Sequence, residues 1–210
     1  MNTKWVISTS FILFFLLCVV FVGPVMSKVD LPNYTVVSSA EEIEIRQYSP
    51  MIIAEVEVQG DREAAINSGF RLLADYIFGN NVIQKDIAMT APVQQQANQK
   101  IAMTAPVQQQ AHNNAWKVSF VMPTEYSMAT LPKPNNPRVV LIQIPEKRVV
   151  AIRFSGFHSA KNIATHQKAL QHYIDTHHIN VVGTPKYAFY NPPWTLPFMR
   201  RNEVMMEINE

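Results

Sequence analysis

The sequence predicts an α+β domain whose antiparallel strands form a curved sheet or a distorted barrel, with two helices packed on it. Strand-like runs of alternating apolar and polar residues precede and follow each of two amphipathic helical patterns. The chain therefore reads as strands, helix, strands, and then the same order again. The two halves meet at the proline-rich residues 132–137. Helices separated by antiparallel strands are typical of α+β domains and not of doubly wound parallel sheets.

Residues 1–27 are set apart from the rest of the chain by their hydropathy. Lys4 precedes an apolar run over residues 5–26, and a small residue, Ser27, follows that run. The pattern predicts either a cleaved signal peptide or an uncleaved N-terminal membrane anchor. Residues 28–210 are then one exported domain, periplasmic or held at the membrane by residues 5–26. We expect membrane contact only through this segment.

Composition excludes several classes of protein. Hydrophobic residues make up 48% of the chain and charged residues 16%, which argues against broad disorder. The net charge is only +2 and no basic stripe is present, so we expect no nucleic-acid partner. Cys18 is the only cysteine, and the exported part therefore has no disulfide and no thiolate ligand. We expect this part to be a monomer.

The first half contains three predicted strands and one helix. The strands are predicted at residues 34–37, 42–48 and 51–58. Asp61 is the predicted N-cap of the helix, and Gly79 ends it. Its apolar stripe consists of Ile66, Phe70, Leu73 and Ile77. Gly69 lies inside the helix, where glycine costs about 1 kcal/mol relative to alanine. Either a close approach of the helix to a neighbour or chance would explain it.

An unchanged ten-residue repeat follows the first helix. Residues 87–96 recur as residues 101–110, with the sequence IAMTAPVQQQ in both copies. Each copy has the alternation of a strand, and the polar link between them is short, so the pair predicts a hairpin. Pro92 and Pro106 cannot donate to a sheet ladder and are expected at edges, bulges or strand ends.

The second half repeats the order of the first. Strands are predicted at residues 116–122, 139–144, 148–154, 186–190 and 203–208. Ser159 is the predicted N-cap of a second helix that ends near His178. Before the last strand comes an apolar loop stiffened by prolines, residues 191–198.

Catalytic motifs are absent from the sequence, whereas apolar ligand-binding residues are frequent. There is no GxSxG elbow, no HExxH pair and no glycine-rich phosphate loop. The six histidines are expected at the surface or at helix caps. Methionine and aromatic residues that could line an apolar cleft are Met89, Met103, Met122, Met128, Met199, Trp116, Tyr190, Trp194 and Phe198.

Ordered motifs spread over residues 33–208 carry a resemblance to a known family. They are Tyr34-Thr35-Val36, EIRQYSP at 44–50, GFRLLADYIFGNN at 69–81, KIAMTAPV at 100–107, FVMP at 120–123 and RNEV at 201–204. With these motifs in this order, the chain resembles the SOUL haem-binding family. The resemblance implies two pseudo-symmetric strand-helix-strand halves that form a twisted antiparallel β-barrel flanked by two helices, as in bacterial effector-binding domains.

The resemblance also implies a function and a site. It implies non-enzymatic, non-covalent binding of haem or a related tetrapyrrole in an apolar cleft beside the first helix. The matching residues are Asn67, Phe70, Ala74 and Asp75 on the helix, with Tyr190 and the run from Trp194 to Leu196 in the C-terminal loop. Two alternatives stay open: a binding module for another apolar small molecule or a lipid, and an enzyme acting on tetrapyrroles or small esters.

The chain departs from the family pattern at two positions. Gln47 stands where one branch of the family has a histidine that is proposed as iron ligand. Asp75 stands where the family has a basic residue for the haem propionates. Arg71, Arg200 and Arg201 are the candidates that could supply the missing positive charge. The sequence therefore names no axial ligand for the iron.

Overall fold

The computed structural model describes residues 29–83 and 98–209. The predicted signal peptide or anchor at residues 1–27 lies outside the described residues and stays a prediction, as does the exported location. The first copy of the repeat, residues 87–96, also lies outside them, and so does the hairpin that it would form with the second copy. Within the described residues, no helix has the length and hydropathy needed to span a membrane.

The described residues form eleven strands and two α-helices. The strands are β1 Tyr34–Ala40, β2 Ile43–Tyr48, β3 Met51–Gln59, β4 Asn81–Val82, β5 Val107–His112, β6 Ala115–Val121, β7 Lys133–Pro134, β8 Val140–Ile144, β9 Lys147–Phe154, β10 Val181–Phe189 and β11 Asn202–Ile208. The helices are α1 Arg62–Ile77 and α2 Ala160–Thr176, and a single 3₁₀ turn covers Pro197–Met199.

Nine strands form one antiparallel sheet in the order β1-β2-β9-β11-β10-β5-β6-β3-β8, and β4 pairs with β7 separately. The two halves, β3-α1-β5-β6 and β9-α2-β10-β11, meet where β5 pairs with β10. The strand that precedes each half pairs with the other half. β2 precedes the first half and pairs with β9 of the second, and β8 precedes the second half and pairs with β3 of the first. This exchange links the halves and confirms the α+β class with two similarly built halves.

The sheet curves around its own face opposite the helices. Tyr48 of β2 and Ile144 of β8 line one cavity, although their strands lie near opposite ends of the strand order. Both helices pack on the other face, α1 on β3 and β6, and α2 on β9 and β11. The sheet thus separates a helix side, which holds two apolar cores, from a concave side.

The predicted helix boundaries are confirmed by their caps. The carboxylate of Asp61 accepts a hydrogen bond from the Ala64 amide at 2.8 Å, and the Ser159 hydroxyl accepts one from the Asn162 amide at 3.3 Å. Gly79 follows the C-cap of α1 with a φ of +121°, a conformation that favours glycine.

The largest differences from the predicted strand boundaries are at the start of β5 and at the start of β10. In the second copy of the repeat only residues 107–110 belong to a strand, β5, which begins directly after Pro106. Both edges of β5 pair with β6 and β10. The strand predicted at 186–190 begins at Val181, because a bulge between Val182 and Lys186 accommodates Gly183 and Pro185 within β10.

Candidate functional site

The helix residues that the family resemblance singles out lie at different depths on α1. Phe70 is half-buried and Ala74 is buried. Asn67 and Asp75 are exposed. Asp75 is also bonded at the end of the helix, where the Asn80 amide donates to its carboxylate at 2.5 Å. The apolar members therefore face the sheet, while the two polar members face solvent.

Phe70 begins a continuous apolar row that crosses the helix side of the sheet. Its ring packs edge-to-face on Phe120, with 5.4 Å between the ring centroids. The strand register places Phe120 opposite Val107, and Val107 opposite Phe189. Residues opposite each other on neighbouring strands share one face, so these side chains are adjacent. The Phe189 ring then contacts His158, with 5.2 Å between centroids. We call these five residues the apolar row.

The C-terminal loop adds exposed aromatic side chains beside the end of this row. Trp194 is 70% exposed and Phe198 is 73% exposed. The loop is anchored to the segment before α2, because the Gly156 amide donates to the Pro197 carbonyl at 2.8 Å. Phe157 in that segment is 61% exposed as well. An exposed aromatic cluster of this kind is typical of a binding surface.

Two arginines flank His158. Nη2 of Arg62, at the start of α1, donates to the His158 carbonyl at 2.8 Å. The Arg200 guanidinium lies 5.2 Å from the centroid of the Phe157 ring, and its Nε donates to the Thr195 carbonyl at 2.8 Å. Burial, followed by the charges of Arg62 and Arg200, lowers the pKa of the His158 imidazole below its usual value. The ring is therefore neutral at pH 7, which is the form that ligates a metal.

The Arg62 side chain also has an unused donor. Its Nη1 atom is buried and has no hydrogen-bond partner among the described residues. The same is true of Oε1 of Gln109, whose Nε2 donates to the Arg62 carbonyl at 2.7 Å. A buried guanidinium nitrogen without an acceptor is unfavourable, and an anionic ligand group would satisfy it.

Tyr190 does not belong to the apolar row. It packs with Tyr48, Val149 and Met205 on the concave side of the sheet. Its hydroxyl donates to the Glu203 carboxylate at 2.6 Å. Burial and the charge of Glu203 raise the pKa of Tyr190. The structure thus brings Phe70 and the Trp194 loop towards one surface of the sheet, and it places Tyr190 beneath that surface on the opposite face.

The other residues considered for haem are engaged elsewhere. The Gln47 amide donates to Glu146 at 3.0 Å, and its oxygen accepts from Nε of Arg148 at 3.0 Å. Arg201 pairs with the buried Glu203 at 2.7 Å. Of the three candidate arginines, Arg200 is the one bound to the aromatic loop, and Arg71 is exposed on α1.

His158 and Arg62 are the two polar residues of this surface that were not predicted from the sequence as site residues. His158 looked like an ordinary residue before a helix cap, and Arg62 like a first-turn residue. A useful signal was available in Phe157-His158, an aromatic pair between a glycine and the N-cap Ser159. The contact between Arg62 and His158 could not be predicted from the sequence, because 96 positions separate the two residues along the chain.

Comparisons with known proteins agree with the resemblance. The sequence pattern of the family described as "SOUL heme-binding protein" matches residues 29–207. Comparison with curated proteins gives no match. Among solved structures, the EcmrR C-terminal domain superposes with a TM-score of 0.57 at 10% identity, covering 84% of this chain and 98% of that one.

A second structural relative gives the same picture of the fold. It is described as a hydrolase from Listeria innocua and superposes with a TM-score of 0.53 at 13% identity. The aligned region covers 82% of this chain and 94% of the Listeria chain. At these identities the likeness concerns the fold alone. The match over residues 29–207 is the finding that bears on function.

Proposed function

Since the chain belongs to the SOUL heme-binding protein family, we propose that it binds haem or a related tetrapyrrole without catalysing a reaction on it. The proposed site is the helix-side surface that runs from Phe70 on α1 to the aromatic loop around Trp194. One observation supports this choice above all others. A neutral imidazole, His158, lies at the end of an apolar row and between two guanidinium groups.

The residues present fit the chemical groups of haem. The flat apolar macrocycle would pack on the half-buried members of the apolar row, Phe70, Val107 and Phe189, which lie beside the fully buried Phe120. The exposed Trp194 would extend this contact, since ligand sites are mostly apolar with a few polar groups. Haem iron is commonly held by a histidine, and His158 is the residue of this surface that would hold it. Nη1 of Arg62 and the Arg200 guanidinium would bind the propionates as charge-assisted donors. Asp75, at the other end of α1, would remain in solvent.

The proposal is tested by titrating ferric haem into the full-length chain in a mild detergent, with detergent alone as the blank. We expect a saturable shift of the Soret band at a ratio of one haem per chain. His158→Ala removes the iron ligand, so its Soret band should differ from that of the wild type. Its affinity should fall by about tenfold or more. His172→Ala, which removes an exposed histidine of α2, is the matched control and should behave like the wild type.

Two further variants test the surface itself. Phe70→Glu places a charge in the apolar row and should weaken haem binding. Arg62→Gln removes the buried cation and should weaken binding without changing the Soret maximum, because it leaves the iron ligand in place. Absence of any Soret shift beyond that of free haem would refute the function. A shift that is the same in wild type and His158→Ala would refute the iron ligand alone.

Another apolar ligand is the second candidate, and the exposure of Phe157, Trp194 and Phe198 favours it equally. Native mass spectrometry of the purified chain would separate the two. A co-purified apolar molecule that haem cannot displace from the wild type would support this second function instead.

A further inference from the structure

The concave side of the sheet contains a cavity of about 280 Å³ that the proposed haem site does not use. Strands of both halves supply its walls. Its apolar lining includes Met51, Ile53, Ile144, Val149 and Met205. Its polar lining includes Gln108, Gln110, Lys147, Lys186 and Glu207. Ligand pockets range from about 300 to 1,000 Å³, so this cavity suits one small molecule and is too small to enclose a tetrapyrrole.

The charges around this cavity leave one lysine without a carboxylate. Lys147 pairs with Glu207 at 2.7 Å, and Lys117, on the neighbouring β6, pairs with Glu55 at 3.1 Å. Lys186 lies on β10 between these two pairs, and within the ranges that the structure describes no carboxylate comes within 4 Å of its ammonium group. Three lysines therefore face two glutamates, and Lys186 carries the excess positive charge.

The fold fixes Lys186 in this position from both sides. Its backbone pairs with Gln110 of β5 and with Met205 of β11, so the residue lies at the junction of the two halves. The bulge that precedes it contributes Gly183 and Thr184 to the rim of the cavity. A hydrogen bond joins the bulge to β5, since Nε2 of Gln110 donates to the Thr184 carbonyl at 2.8 Å.

We propose that this cavity binds a small apolar molecule bearing a single carboxylate, with the Lys186 ammonium group as its counter-ion. The apolar walls would take the body of the molecule, and the amide of Gln108 would be a second donor to the carboxylate. A carboxylate here would neutralise the excess charge without breaking either of the existing ion pairs. A cationic ligand would add to the repulsion, and a neutral one would leave Lys186 uncompensated.

The titration of Lys186 gives the proposal a pH signature. Burial, together with the neighbouring Lys147 and Lys117, lowers the pKa of Lys186 to about 8, against the opposing effect of Glu55 and Glu207. Tyr48 on β2 has a raised pKa, so it stays neutral in the same range. The bound carboxylate requires the ammonium form. Affinity should therefore be constant below pH 8 and fall as the pH rises above it.

The test uses 2-naphthoate as probe, followed by its fluorescence on titration with the full-length chain, again with a detergent blank. 2-Naphthamide and 2-naphthylmethylammonium have the same ring with no charge and with a positive charge. We expect 2-naphthoate to bind at least about tenfold more tightly than either analogue at pH 7. Lys186→Met should abolish this preference, and Lys186→Arg should keep most of it.

Lys117→Met is the matched control, because it removes a lysine from the same face while leaving the lining of the cavity intact. It should retain the preference for 2-naphthoate. Equal binding of the three probes, or an unchanged preference in Lys186→Met, would overturn the proposal. If Lys186→Met does not fold, the pH dependence of the wild type decides instead: an affinity for 2-naphthoate that is flat from pH 6 to 10 would overturn it as well. Neither outcome affects the haem site, which is tested by the Soret band.

Discussion

The carboxylate of Glu203 lies fully buried on the concave side of the sheet, where it accepts hydrogen bonds from three side chains. Arg46 reaches it with both terminal nitrogens, at 2.8 and 3.0 Å. Nε of Arg201 donates to it at 2.9 Å, and the Tyr190 hydroxyl at 2.6 Å. These bonds connect β2 with β11 and with the end of β10. A buried carboxylate with this many donors is held in its ionised form.

Replacing Glu203 should therefore destabilise the fold strongly. Glu203→Gln keeps the shape of the side chain but removes the buried counter-ion of both terminal nitrogens of Arg46, which then keeps only the partly exposed Glu44, bonded to its Nε at 2.7 Å. We expect the free energy of unfolding to fall by about 3–5 kcal/mol. Glu207→Gln is a matched control on the same strand, because its partner Lys147 is partly exposed, and it should cost no more than about 1 kcal/mol. Urea unfolding of both variants gives the comparison, and equal losses would contradict the assignment.

The same carboxylate sets an acid limit on stability. Its hydrogen bonds and the nearby guanidinium groups outweigh burial and hold the pKa of Glu203 below its usual value near 4.5. The unfolded chain therefore binds this proton at a higher pH than the folded chain does. The stabilisation is complete above the unfolded pKa and is lost as the pH falls below it. In Glu203→Gln, the stability should decline less steeply below pH 4.5 than in the wild type.

At the site, sequence reasoning reached some residues and missed others for a physical reason. Phe70 and Trp194 follow from motifs on continuous stretches of chain, and the structure places both on the helix side or on the loop beside it. His158 and Arg62 have no local motif, because their role depends on two helix starts that approach each other in space. The face that Tyr190 would occupy could not be predicted, since it depends on the phase of β10 after its bulge.

Among the elements, α1 shows why a glycine can stand inside a helix. A Cβ atom on Gly69 would lie 2.6 Å from Cβ and Cγ2 of Val118, which is fully buried in β6. The helix thus packs directly on the strand at this point. A close approach of α1 to a neighbour was one of two explanations for this glycine, and the structure identifies the neighbour as β6.

Gly69→Ala should destabilise the protein although alanine favours helices. The gain in helix propensity is about 1 kcal/mol, and overpacking a core costs about 1–3 kcal/mol. Since Val118 is held by its strand on both sides, we expect a net loss of stability in thermal unfolding. Arg71→Ala, at an exposed position of the same helix, should change stability by less than about 0.5 kcal/mol.

A second substitution checks the cause of this loss. Val118→Ala removes Cγ1 and Cγ2, two of the three Val118 atoms that the new Cβ would meet, and leaves the Val118 Cβ in place. In the double variant, the two losses should not add, because the first substitution partly fills the space left by the second. Additive losses would show that Gly69 is needed for a reason other than its contact with Val118.

Strand boundaries were predictable where polar and apolar residues alternate. They were not predictable where a proline or a bulge determines the first residue of the strand. β2, β3 and α1 agree with their patterns closely. The alternation in the second copy of the repeat predicted a strand from Ile101 onwards, whereas β5 begins only after Pro106.

For the whole molecule, the order of elements was sufficient to predict two similar halves. The exchange of β2 and β8 between them was not predictable, because pairing across the whole length of the chain leaves no periodic signal. Both exchanged strands contribute lining residues to the cavity on the concave side, while the helices pack on the opposite face. The sheet therefore lies between the proposed haem surface and the proposed carboxylate cavity, and β10 contributes Phe189 to the first and Lys186 to the second.

From this arrangement we expect the two ligands to bind without competition. The affinity for 2-naphthoate, measured on the chain saturated with haem, should agree within about twofold with the affinity of the haem-free chain, since ligands on separate faces share no contacts. His158→Ala should then weaken haem without affecting 2-naphthoate, and Lys186→Met should do the reverse. Equilibrium dialysis with both ligands present measures this directly. Displacement of 2-naphthoate by one equivalent of haem would place both ligands on the same face of the sheet.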